Sequence, residues 1–116
     1  MRANVWNAIV SARSEGRRVI AVGTTTVRTL EHLAVLRGLQ PAEEGLWLRG
    51  SSDLFITTGF SFRLVDALLT NFHLPRTSLL ALVMAFVGEA ETRAIYQHAI
   101  RKGYRFYSLG DAMLAI

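Results

Sequence analysis

Cysteine is absent from the 116 residues. That excludes disulfides and thiolate metal sites and makes a reducing compartment the natural expectation. Lysine is nearly absent too, since Lys102 stands alone among thirteen basic residues and the rest are arginine. Long apolar runs are missing. The longest, Leu79 to Val87, covers nine residues, whereas a bilayer core takes about 20. The opening Met1-Arg2-Ala3-Asn4 leads into an amphipathic pattern rather than the apolar stretch of a signal peptide. A soluble, cytoplasmic chain with no membrane partner is therefore expected. The phosphate-binding G-x-x-x-x-G-K-S/T, the dinucleotide G-x-G-x-x-G and the nucleophile elbow G-x-S-x-G do not occur. No two histidines and no histidine–carboxylate pair have metal-ligand spacing, so no metal site is expected.

What is present is one domain's worth of chain, 1–116, long enough to bury a core without staples. The formal charge is +4. Arginine suits carboxylate and phosphate recognition because its planar fork binds both in bidentate fashion. Here the arginines are spread along the chain, so charge alone gives only a weak pointer to nucleic acid.

Val5, Ile9, Val10 and Ala12 follow helical spacing, and Gly16 can close that helix. Arg18 to Val22 is a short β-branched run that suits a strand buried on both faces. Val27, Leu30 and Ala34 return at helical spacing, with Gly38 as a stop. Leu39 to Ser52 is expected to be a loop with Trp47 pinned against something. Leu54–Thr57 and Phe62–Leu69 are strand candidates. Thr77–Val87 should be an interior helix capped by Thr77 or Ser78 and stopped by Gly88. Ala90–Arg101 makes another helix ending at Gly103, Tyr104–Ser108 a final strand, and Gly110-Asp111 a turn. Helices alternating with short strands predict an α/β layer or barrel.

Two polar turns draw attention. In RVIAVGTTTVRTLE, a strand runs into Gly23, Thr24, Thr25 and Thr26 and then a helix. That arrangement aims backbone N–H groups and hydroxyls at a ligand. Thr24 or Thr25 acting only as a helix cap explains one threonine, and spacing alone leaves the two readings even. In VDALLTNFHLPRTSLL, Asp66, Asn71, His73, Arg76, Thr77 and Ser78 gather around a turn stiffened by Pro75. Ligands of open α/β sheets sit beyond the carboxyl ends of the strands, so both turns can face one crevice if their strands run parallel. His73 is a candidate proton acceptor, with a backbone-bonded histidine as the alternative. His32 and His98 read as surface residues. Tyr104, Arg105 and Phe106 suit base stacking less well than a half-buried strand.

The stretches IAVGTTTVRTLE, SDLFITTGFSFRLVDALLTNFHLPRTSLLALV and GYRFYSLGDAML resemble the C-terminal motifs of the S-adenosylmethionine:tRNA ribosyltransferase-isomerase family, over nearly the whole chain. The resemblance implies transfer and isomerisation of the ribosyl part of S-adenosylmethionine onto 7-aminomethyl-7-deazaguanine in the tRNA anticodon region, giving epoxyqueuosine. Adenine and methionine leave, and no metal or other cofactor takes part. It implies a larger barrel-like α/β domain, of which this chain lacks the N-terminal portion and an inserted β-barrel. On that basis His73 and Asp66 are the expected catalytic bases, with His73 first. Gly23, Thr24, Thr25, Arg28, Asn71, Arg76 and Thr77 are the expected substrate contacts. Ser52 replaces a usual threonine, Thr57-Thr58 a common Tyr-Pro, and Thr77-Ser78 reverses the usual order. An edge left unpaired by absent strands invites a companion chain or self-association. The alternative is a non-catalytic or partner-dependent ligand-binding piece of the same fold.

Overall fold

The structure is a computed structural model that describes residues 1–50, 54–72, 77–106 and 111–116. Seven elements follow in order: α1 (Ala3–Ser14), β1 (Ile20–Val22), α2 (Thr24–Arg37), β2 (Ala67–Asn71), α3 (Ser78–Val87), α4 (Glu89–Lys102) and β3 (Ala112–Ala115). The mixed α/β reading holds. The three strands form one sheet in the order β1-β2-β3. β1 and β2 are parallel, with Val22 opposite Leu69, and β2 and β3 are antiparallel, with Leu69 opposite Leu114.

Successive strand side chains point to opposite faces. One face carries Ala21, Leu68 and Ala115 in register, all buried. α2 contacts both β1 and β2, and it contributes Val27, Leu30 and Ala34 to the same core. The other face carries Ile20, Val22, Leu69 and Leu114, which are 55%, 65%, 37% and 55% exposed. The expectation of a strand buried on both faces is thus corrected: β1 is buried on one face only.

Two further strand expectations fail because the amides are used elsewhere. Across Phe62–Leu69, the backbone N–H groups of Arg63, Leu64 and Val65 donate to the carboxylate of Glu31 at 2.9, 3.0 and 2.9 Å. Ladder pairing therefore starts only at Ala67. Near Tyr104, the amide of that residue donates to Ala99 O, and the Arg105 amide donates to Asp111 Oδ2 at 2.6 Å. Tyr104 to Phe106 is consequently not a strand, and the last strand is Ala112–Ala115. Tyr107, Ser108 and Gly110 lie outside the described residues. Leu54–Thr57 is not a strand; there Ile56 drops into the core while Phe55 stays exposed.

The helices follow their local signals closely. Thr77 is the N-cap of α3, its Oγ1 accepting from Leu80 N at 3.1 Å, a bond worth about 1 kcal/mol. Gly88 ends α3 and begins α4 with φ +108°, a conformation that disfavours a side chain. α1 is tied to the loop that follows α2 by the fully buried Trp6, whose Nε1 donates to Gln40 O at 2.9 Å. Asn7 and Ala42 add a reciprocal pair of bonds. Trp47 is pinned through its backbone, which forms an isolated antiparallel bridge with Arg2. It is half exposed, with the Arg2 and Arg49 guanidinium groups 4.9 and 5.4 Å from its ring centre. The aromatic tail serves packing, since Phe72 meets Tyr96 and Phe106 at 5.5 Å between centroids. Overall the chain is elongated, 49 × 26 × 25 Å, with a radius of gyration of 15.2 Å against about 13 Å for a compact chain of this length. No helix of the described residues is long and apolar enough to cross a membrane.

Candidate functional site

The parallel register of β1 and β2 carries the carboxyl ends of both strands to the same edge of the sheet. β1 leads there through Gly23, whose N–H donates to Leu69 O at 2.8 Å and so ties the turn to β2. Gly23 has φ +90°. A side chain there would find space, so the glycine is needed for its backbone conformation rather than to avoid a clash.

Gly23 is also the N-cap of α2, and no side chain caps that helix. The expectation that Thr24 or Thr25 caps it is therefore corrected, because the helix already begins at Thr24. The Thr26 hydroxyl donates back to Val22 O at 2.8 Å. The hydroxyls of Thr24 and Thr25 have no hydrogen-bond partner among the described residues, and neither counts among the buried unpaired polar atoms. The first turn of α2 thus presents N–H groups and hydroxyls together, at the positive end of a helix of 14 residues.

Opposite this turn lies the end of β2, with Thr70 buried and Asn71 exposed. Between them is a cavity of about 400 Å³ lined by Gly23, Thr24, Thr25, Thr26, Thr70 and Asn71, with Val22, Leu69 and Ala112 as its apolar wall. Of the residues expected from sequence, the structure brings Gly23, Thr24, Thr25 and Asn71 together here. Sequence reasoning passed over Thr70 and Ala112. The first is a neighbour of Asn71 on the same strand, and the second arrives only because β3 pairs with β2.

The other expected residues are placed differently. Arg28 sits half-buried one turn further along α2, and its Nε is buried with no partner among the described residues. Thr77 caps α3 and lines a separate cavity of about 680 Å³ between α3 and α4, with Leu80, Met84, Tyr96, Ile100 and Phe106. His73 and Arg76 lie outside the described residues.

Asp66 stands at the opposite end of β2 from Asn71. Its Oδ2 accepts from Val19 N at 2.8 Å, and its Oδ1 accepts from Arg13. Burial pushes its pKa up, but the Val19 amide, the Arg13 guanidinium and the charge of Arg18 together outweigh this. The carboxyl is held below its ordinary value of 3.8. A carboxylate so engaged is a strut joining α1 and β1 to β2, and the structure does not bring it to the cavity.

Glu31 is fully buried and orders the chain entering β2 through the three amides already named. Among the described residues there is no group of three or more histidine, aspartate and glutamate side chains that could hold a metal.

Comparison with known proteins gives this arrangement a context. The family described as Queuosine biosynthesis protein matches residues 1–115. A curated relative from Heliobacterium modesticaldum, named S-adenosylmethionine:tRNA ribosyltransferase-isomerase, is 53% identical over 109 residues, which cover 94% of this chain and 30% of the relative. One of the same name from Synechococcus sp. is 55% identical over 108 residues, covering 91% of this chain and 28% of the relative. The chain thus spans about three-tenths of the length of these relatives. A crystal structure of S-adenosylmethionine tRNA ribosyltransferase from Thermotoga maritima superposes with a TM-score of 0.86 at 44% identity, covering 99% of this chain and 38% of that one.

Proposed function

The chain belongs to the queuosine biosynthesis family, and from that premise we propose that its strand-end cavity receives S-adenosylmethionine for ribosyl transfer to tRNA. The product is epoxyqueuosine, formed when the ribosyl unit is transferred to 7-aminomethyl-7-deazaguanine and isomerised. The observation that carries this reading is the parallel pairing of β1 with β2. It sets the uncapped start of α2 and the end of β2 around one cavity.

The chemistry suits such a site. The methionyl carboxylate is an anion, and an uncapped helix start offers N–H groups and a favourable dipole to it. Thr24 and Thr25 supply hydroxyls for the carboxylate or ribose, and Asn71 can both donate and accept. The sulfonium acidifies the ribose 5′ carbon. A base that removes this proton leaves an electron pair from which loss of adenine can follow. His73 takes the role of base because its ordinary pKa suits work near neutrality. Arg76 and Thr77, four residues or fewer beyond it in sequence, are proposed to hold an anionic group of the substrate or of tRNA. This site belongs to a larger barrel-like α/β domain.

The chain's share of its relatives' length favours a second reading: a ligand-binding part that turns over only alongside the remaining region. Two measurements separate the readings. Calorimetry with S-adenosylmethionine reports a preformed site. Adenine release with tRNA bearing the deazaguanine, with and without the remaining region of a relative, reports turnover. Heat on titration but no adenine from the chain alone supports the second reading. No heat in either setting would remove the proposed site.

A further inference from the structure

α2 carries two arginines, Arg28 and Arg37, whose Nε atoms are buried without a hydrogen-bond partner. Neither forms an ion pair with a described residue. For Arg37 the helix itself accounts for the charge, because this residue stands in the last turn, where the dipole favours a cation. Arg28 has no such compensation. It lies towards the positive end of α2, and Glu31, three residues further on, already spends its carboxylate on the amides of Arg63, Leu64 and Val65. Snorkelling buries only the methylene stem and leaves the head in water. In Arg28 the Nε of the head is itself covered, which is costly for a cation without an acceptor.

Arg28 comes four residues after Thr24 and three after Thr25, so the three share one side of the helix. The Cα–Cβ bonds of a helix tilt towards its N-terminus, and a long side chain covers the turn before its own Cα. For Arg28 that turn is the one bordering the strand-end cavity. It is short of negative charge, with no acidic residue in it and no side-chain cap. The cavity lining likewise contains no charged side chain. Thr24 is only 6% exposed, yet its hydroxyl has no partner among the described residues and is not sealed off, so it is reachable from the cavity that Thr24 lines.

The guanidinium, the hydroxyl and the N–H groups of the helix start all lack the same thing, an anion with more than one acceptor oxygen. From this we infer that Arg28 is a specificity determinant of the cavity, its planar fork pairing with the methionyl carboxylate of S-adenosylmethionine. The cavity then selects ligands that carry this group. The inference rests on the proposed binding of S-adenosylmethionine and adds the residue that recognises one end of it.

Calorimetry with two ligands tests this. S-adenosylmethionine is compared with its decarboxylated analogue, which keeps the sulfonium, ribose and adenine. Both are titrated into the 116-residue chain and into a chimera where the chain replaces the matched part of the Heliobacterium modesticaldum relative. The parent should prefer S-adenosylmethionine by at least about tenfold, as expected of a charge-assisted hydrogen bond. Arg28→Gln should weaken S-adenosylmethionine by about the same factor and leave the analogue nearly unaffected, so the preference collapses. Arg28→Lys keeps the charge without the fork and should fall between the two; it carries the comparison if Arg28→Gln does not fold. Arg37→Gln should leave both affinities at the parent values.

Equal weakening of both ligands by the Arg28 variants would make the residue structural and overturn the inference. A parent that binds both ligands alike, or a preference unchanged by the variants, would overturn it too while leaving the cavity as a site for S-adenosylmethionine. Absence of heat from either ligand, in chain and chimera, removes the proposed function and the role of Arg28 together.

Discussion

The two ends of the short parallel pair are built on opposite plans. At the entry end, polar groups are consumed internally: Asp66 takes the Val19 amide and Arg13, and Glu31 takes three successive amides. At the exit end, the start of α2 has no side-chain cap, and two threonine hydroxyls have no partner among the described residues. Buried polar groups are costly unless satisfied. The entry end is thereby a structural clamp, and the exit end is left competent for a ligand. Polar residue type does not distinguish the two; the partners do.

The sharpest way to break this comparison is at Glu31. Glu31→Ala leaves three backbone amides without their acceptor and should destabilise the fold by about 4 kcal/mol, read from urea unfolding. A loss under about 1 kcal/mol would mean the carboxylate is not the clamp described.

Asp66→Asn comes next, at about 1 kcal/mol, because its Arg13 partner is only partly buried and the pair is partly screened by solvent. The pH dependence follows the same group. Its folded pKa lies below the unfolded value, so its stabilising contribution is complete above about pH 5. The contribution drains away as pH falls through 3.8 towards the lower folded value. Asp111, held low first by the Arg105 amide and then by its guanidinium, adds to the same acid limb. Urea midpoints taken at descending pH should therefore drop less steeply for Asp66→Asn than for the parent. If the variant instead abolished adenine release in the chimera while its stability was nearly unchanged, Asp66 would be a base and the division between the two ends would fail.

Gly23→Ala probes the exit end through its backbone. It should cost about 1 kcal/mol because of the positive φ, with a weaker calorimetric affinity for S-adenosylmethionine as the turn shifts. The smallest stability effect is expected for Thr25→Val, within about 0.5 kcal/mol. Its affinity for S-adenosylmethionine should nevertheless fall about tenfold, the value of one hydrogen bond to a charged group. Unchanged affinity would take the Thr25 hydroxyl out of the site.

Local signals were legible where the physics is local. Gly38, Gly88 and Gly103 stop helices, and Thr77 caps one, because caps depend on residues within a turn of each other. Strand assignments failed where amides had a competing acceptor far along the chain. Nothing in FSFRLV announces that Glu31, more than thirty positions earlier, will take its N–H groups. The run Tyr104-Arg105-Phe106 alternates like a strand, yet Asp111 captures the Arg105 amide.

The sequence by itself determined the helices, the absence of disulfide and thiolate chemistry, and the motifs that carry the family resemblance. Only the tertiary structure decided that the threonine turn and Asn71 share a cavity while Asp66 does not. Strand direction sorts polar residues to one end or the other, and it arises from pairing between segments more than forty residues apart.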